Sequence, residues 1–149
     1  MTRLTNSVEI EAPPEKVFAW TCDIKNMNEA SKGMAEYEIT SKGPPLGLGT
    51  TMHFVGAAGG SNAETDLEAI EFVKNKKVVW KSIGASKTKI AFTQTYEPTS
   101  KGTKVTVDTE YEVPYSILGK LVDKLKIKKD IEKNNTVLWG NIKNALEAK

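Results

Sequence analysis

From Met34 to Pro114 the chain alternates apolar and polar residues; after Pro114 it changes to helical spacing and keeps it to the end. That order restricts the fold more than any other feature. A period of two makes strands with one covered and one wet face, and a period near 3.6 makes a helix with an apolar stripe. The alternation is cleanest in "TKVTVDTEYEVP", where Val105, Val107, Thr109, Tyr111 and Val113 stand against Thr106, Asp108, Glu110 and Glu112. Tyr37 and Ile39 oppose Glu36, Glu38 and Thr40. Met52 and Phe54 oppose Thr51, His53 and Val55, and Val78 and Trp80 oppose Lys77 and Lys81. Ile90, Phe92, Gln94 and Tyr96 share one face. In "AETDLEAIEFVKN" the inward set passes from Leu67 and Ala69 to Ile70 and Phe72, a parity switch that predicts a β-bulge.

The stretches between these runs are short and rich in turn formers, as in "SKGPPLGLG", "VKNKK" and "PTSKG", so the strands pair antiparallel. Ahead of them, "LTNSVEIEA" reads as a half-buried strand with Val8, Ile10 and Ala12 inward. Pro13 and Pro14 end it and open a helix whose face is Val17, Phe18 and Thr21. Asp23 is placed to cap a second short helix through Asn28 or Ser31. At the other end, Leu118, Leu121, Val122 and Leu125 form one stripe, and Ile131, Asn135, Leu138, Ile142 and Ala145 the next. The shift of phase near Ile127 predicts a bend or two abutting helices. Trp20 and Trp139 fall off the main stripes, at a pocket rim or over a seam.

The expected fold is α+β: a curved seven-stranded antiparallel sheet wrapped around a long C-terminal helix, with two short helices between the first and second strands. The helix is the natural cover for the dry face of the sheet. One helix rarely fills such a concavity, and the gap becomes a pocket. With 149 residues, one domain over 1–149 is expected, large enough to bury a core without disulfides or metal.

Composition narrows the function. A net charge of +2 gives no electrostatic footprint for nucleic acid. A single cysteine, Cys22, forms no internal disulfide and fits a reducing compartment. The N-terminus reads as neither a signal peptide nor a membrane span, so a cytoplasmic, monomeric protein is expected. The "NNT" sequon at Asn134 is then chance. One His and one Cys cannot supply a usual zinc site, so no metal and no cofactor are expected.

"GPPLGLGT" lacks the lysine of a phosphate loop and precedes a strand rather than a helix, which leaves it a stiffened hairpin connection. His53 points to solvent by parity, Cys22 has no flanking base, and the carboxylates lie on wet faces, so no catalytic residue is assigned. Lys120, Lys124, Lys126, Lys128, Lys129 and Lys133 on the last helix suit a solvated face or weak contact with an anionic membrane surface; Asp123, Asp130 and Glu132 interrupt the run and favour the former.

Several stretches taken in order resemble the START-like (SRPBCC) superfamily of helix-grip proteins, the group of birch-pollen-allergen-like proteins and polyketide cyclase/dehydrases. "VEIEAPPEKVFAWTCDIKNM" is similar to its opening strand and helix. "GPPLGLGTTMHF" is similar to its glycine-containing hairpin, and "LEAIEFVKNKKVVWKS" to its paired strands. "GTKVTVDTEYEVP" followed by "LGKLVDKLKIKKDIEKNNTVLWGNIKNALE" is similar to its last strand and gripping helix. The resemblance implies a cavity between sheet and helix for an apolar molecule such as a lipid, quinone, sterol or polyketide. It also implies that the hairpin at Pro45, Leu46 and Gly47 gates that cavity.

In such a cavity Phe54, Trp80, Phe92 and Leu138 would form walls. The inward polar residues Gln94, Thr109 and Asn135, with Tyr96 and Tyr111 beside them, would orient a ligand or else bond to one another. The leading reading is a binding or transport protein for a hydrophobic small molecule. The alternative is a cyclase/dehydrase-type enzyme in which Tyr96, Tyr111 or Gln94 polarises a carbonyl. An interaction module would need an exposed apolar patch that the sequence does not show clearly.

Overall fold

The computed structural model describes residues 2–41, 46–58, 61–84, 89–112 and 124–148. Strand β1 (Thr2–Ile10) leads into helices α1 (Pro14–Thr21) and α2 (Ile24–Ala30). Six strands follow: β2 (Ala35–Ile39), β3 (Thr51–Ala58), β4 (Ser61–Val73), β5 (Lys77–Ser82), β6 (Lys89–Pro98) and β7 (Thr103–Glu112). Helix α3 (Lys124–Glu147) ends the fold. All seven strands form one antiparallel sheet in the order β1-β7-β6-β5-β4-β3-β2. This is the expected helix-grip arrangement.

Local chemistry explains the elements. Pro13 is extended and Pro14 occupies the first helical turn of α1, where a missing N–H costs nothing. Val17, Phe18 and Thr21 are its buried residues. Asp23 caps α2 by accepting from the Lys25 and Asn26 amides at 2.9 and 3.4 Å, a contact worth about 1 kcal/mol. In "GLGT", Thr50 N–H donates to Gly47 O at 3.1 Å. Gly49 has φ +86°, which a side chain at that turn position disfavours.

The sheet register shifts between Ala69 and Glu71, so the bulge lies where the parity switch put it. Leu67 and Ala69 are fully buried, and Phe72 packs against the core. Ile70, expected inward, is instead 46% exposed: it sits at the register shift, where the strand changes faces. On α3, Ile142 is fully buried, but Ala145 is exposed and Leu146 buried in its place. Leu125 is also exposed. The described part of α3 is one helix through Ile127; Leu118, Leu121 and Val122 lie outside the described residues, as does Val113.

Both sheet edges are closed by side chains from helices. On β2, Asn28 of α2 donates to Tyr37 O at 2.9 Å and accepts from Tyr37 N–H at 2.8 Å, taking the place of a neighbouring strand. On the β1 side, Lys143 of α3 donates to Glu9 O at 2.8 Å, and the Glu147 carboxylate accepts from Glu11 N–H at 2.9 Å and from Lys143 at 2.7 Å. The β6–β7 turn joins the same corner. Thr103 Oγ1 donates to Ala12 O at 2.7 Å, and Gly102 lies against the backbone of Ile10 and Ala12.

Two outcomes follow from that corner. A Cβ on Gly102 would sit 2.7 Å from Ala12 N and closer still to Ile10 O. Gly102→Ala should therefore cost roughly 1–3 kcal/mol in chemical denaturation; an unchanged midpoint would show that the turn lifts freely. The Glu11 amide, with Lys143 second, holds the Glu147 carboxyl below its ordinary range. A lowered folded-state pKa contributes stability above the unfolded carboxylate pKa and loses it as pH falls through the folded value. The melting temperature of Glu147→Gln should thus lie below that of the wild type at neutral pH, and the gap should close in acid. A gap independent of pH would refute this account.

Candidate functional site

A cavity of about 190 Å³ remains between the inner face of the sheet and the first turns of α3. An apolar space of roughly 150 Å³ already admits benzene, so this one suits a ring-sized molecule. The sheet supplies Met52 and Phe54 from β3, Trp80 from β5, Ile90, Phe92 and Gln94 from β6, and Val107 from β7. Each is an inward position of the period-two pattern. Ile127, Ile131, Leu138 and Trp139 of α3 form the facing wall, and Ile24 and Met27 of α2 close one flank.

Specific contacts hold this space open. The ring of Phe54 lies against Gly56, where a Cβ would stand 2.8 Å from Phe54 Cζ. Phe54 meets Phe92 edge-on at 5.5 Å between centroids and Tyr37 at 5.4 Å, so three rings brace one wall. Amides set α3 over the sheet. Asn134 Nδ2 donates to Ala57 O at 2.8 Å. Asn135 Nδ2 reaches both Asn6 Oδ1 and Thr109 Oγ1 at 3.3 Å. Asn141 Nδ2 donates to Ala30 O at 2.9 Å.

The described lining residues carry no formal charge. Their polar members are Thr21, Ser31, Tyr37, Asn62, Gln94, Asn134 and Asn135. Burial raises the Tyr37 pKa, so its phenol stays protonated at neutral pH, and Ser31 Oγ donates to it at 3.4 Å. Burial also pushes the Cys22 thiol up to about 11, which keeps it unreactive. A wider depression of about 630 Å³ lies beside β2, among Lys25, Glu29, Lys32, Glu36, Glu38 and His53. Its mixed charges and open form suit water. His53 there bonds to Asp66 at 2.9 Å, which raises its pKa, and it does not line the cavity. Among the described residues no group of acidic, His or Cys side chains could hold a metal ion.

Of the residues expected to meet a ligand, Phe54, Trp80, Phe92, Gln94, Asn135 and Leu138 come together on the lining. Tyr96, Thr109 and Tyr111 do not line it, although all three are buried. Tyr96 packs under Phe18 of α1 and bonds to Thr21, while Thr109 accepts from Asn135. Of the proposed gate, Leu46 touches the cavity, Gly47 does not, and Pro45 lies outside the described residues. Trp139, read as lying off the stripe, is 4% exposed and lines the cavity, whereas Trp20 packs at the core's margin. Sequence reasoning missed the contributions of α2 and of Asn134. Strand parity says nothing about how a short helix docks, and the only signal at Asn134 was its place one residue before the inward Asn135.

Solved structures share this fold. TTHA0849 from Thermus thermophilus is 22% identical with a TM-score of 0.82, over 99% of this chain and 98% of that one. CV1439 from Chromobacterium violaceum is 13% identical with a TM-score of 0.71, over 100% of both chains. Ara h 8.0201 is 13% identical with a TM-score of 0.69, over 99% of both. No curated protein matches the chain. The family described as polyketide cyclase / dehydrase and lipid transport matches residues 1–147, and the chain belongs to it.

Proposed function

We propose that this chain binds a hydrophobic small molecule, of lipid, quinone, sterol or polyketide type, in the cavity under α3, and carries it rather than transforms it. The observation that supports this reading is an open, apolar-walled space of ring size inside an otherwise packed core. A void of this size forfeits contacts for the groups around it, a cost that an apolar occupant offsets. The family's description includes lipid transport as well as cyclase and dehydrase activity.

The enzyme reading has less support. Tyr37 and Gln94 reach the cavity and could polarise a carbonyl, but Tyr96 and Tyr111 do not line it. No carboxylate or imidazole is among the described lining residues, so none of them offers the proton acceptor that enolisation or dehydration needs. The lysine-rich face of α3 fits solvent: Lys126 pairs with Asp130 at 3.2 Å along the helix. No described helix is long and apolar enough to cross a membrane.

Tetralin, an uncharged two-ring hydrocarbon, is a suitable probe. Trp80 and Trp139 line the cavity, so their emission should change saturably on titration, and the melting temperature should rise with ligand concentration. Leu138→Trp, which grows into the cavity, should abolish the response while keeping the fold's melting temperature. No saturable response from the wild type would remove the basis for the proposal.

A further inference from the structure

We propose that the cavity takes a ligand with a carbonyl oxygen, and that the Tyr37 phenol anchors that oxygen by donating a hydrogen bond to it. This rests on the binding function above and adds the chemical class of the ligand's polar end. It also separates Tyr37 from the residues that only wall the space.

Tyr37 is held at both ends. Asn28 donates to its backbone carbonyl at 2.9 Å and accepts from its N–H at 2.8 Å, which fixes the residue on the sheet edge. Its ring rests on Phe54, with centroids 5.4 Å apart. At the far end of the ring, Ser31 Oγ donates to the phenol oxygen at 3.4 Å. Ser31, Tyr37 and Phe54 all line the cavity, so the hydroxyl stands among lining groups.

A phenol has one proton to give and lone pairs that accept. The Ser31 contact occupies a lone pair and leaves the proton uncommitted. No other bond to the phenol is made among the described residues. Burial raises the Tyr37 pKa, so the proton is present throughout the neutral range. A donor that faces an apolar space without an acceptor carries an unmet hydrogen bond, and a ligand oxygen meets it.

The rest of the sheet wall agrees. The Tyr96 hydroxyl donates to Gln94 Oε1 at 3.3 Å, and among the described residues nothing bonds to Gln94 Nε2. The Thr21 hydroxyl is already engaged with Phe18 O and with Tyr96. On β2 and β6 the uncommitted lining atoms are therefore donors. Helix α3 has the opposite sense: Asn134 and Asn135 spend their nitrogens on Ala57 O, Asn6 and Thr109. A carbonyl oxygen only accepts, so its partner lies on the sheet. An alcohol at Tyr37 can also accept, but its own proton then needs a second partner.

The test compares tetralin with α-tetralone, the same skeleton with one carbonyl added, by calorimetry on the full chain. Tyr37→Phe keeps the ring against Phe54 and removes only the donor. It should weaken the ketone relative to tetralin roughly tenfold, with tetralin itself bound as before. Indole, an N–H donor with no carbonyl, should bind both proteins alike. The infrared carbonyl stretch of bound α-tetralone gives a second readout. In the wild type it should lie below its position in hexane, and in Tyr37→Phe it should move back up. A wild-type stretch at the hexane position overturns the proposal whatever the variant does. So does a stretch that stays low in Tyr37→Phe, an unchanged affinity ratio, or an indole affinity that falls as far as the ketone's. Tetralin binding to the wild type persists in each of those cases, and the cavity's function stands. If neither tetralin nor α-tetralone binds the wild type, the binding function fails and this proposal with it.

Discussion

Nine residues of β1, Thr2–Ile10, run antiparallel to β7 in unbroken register from Thr2 opposite Tyr111 to Ile10 opposite Thr103. Most of the architecture depends on that pairing. It puts the first strand beside the last and sends β2 to the opposite edge. The chain must then cross from one edge to the other between its first and second strands, and α1 and α2 make that crossing. It also leaves β1 exposed along one side, where α3 packs and where Lys143 and Glu147 take up the loose backbone groups.

The cavity follows from dimensions. Seven strands make six steps of about 4.8 Å, a sheet roughly 29 Å across. A helix with its side chains is about 10 Å wide. One helix cannot cover that breadth, even with the curvature added by the bulge at Ala69 and Glu71. The short helices fill one flank: Phe18 of α1 packs edge-on against Phe72 and Tyr96. α3 leans on β1 with its last turns and reaches β3 with its first, through Asn134. The region between, over β3, β5 and β6, is left to whatever the apolar walls hold.

The strands were legible in the sequence because alternation is a property of the backbone itself. Phe54, Trp80, Phe92 and Gln94 could be placed inward from spacing alone. Depth could not. Tyr96 shares its face with Gln94, yet α1 passes over it and seals it with Phe18 and Thr21; parity reports a face and says nothing of what covers it. Ile70 was misread because a bulge moves the strand between faces and leaves an extra residue where it does so. On α3, a helix lying in a concavity touches walls on both sides, so its buried arc is wider than one stripe. Trp139 belongs to that arc beside Leu138, and Leu146 takes the place a narrow stripe assigns to Ala145.

The polarity of the cavity comes from the frame around it. Backbone carbonyls left over at the ends of elements can only accept hydrogen bonds. Ala57 O stands near the end of β3 and Ala30 O at the end of α2. Each draws an amide nitrogen of α3, Asn134 Nδ2 on Ala57 O and Asn141 Nδ2 on Ala30 O, while the Tyr96 hydroxyl donates to Gln94 Oε1. Asn134 and Gln94 both line the cavity, and each already spends one end of its amide on the frame, Asn134 its nitrogen and Gln94 its oxygen. In a space walled by rings and aliphatic groups, with no formal charge among its described lining residues, an unpaired polar atom on a ligand has no cheap alternative partner. The few neutral amides and hydroxyls on the lining are then the groups able to distinguish molecules of equal size, and the frame fixes where they stand.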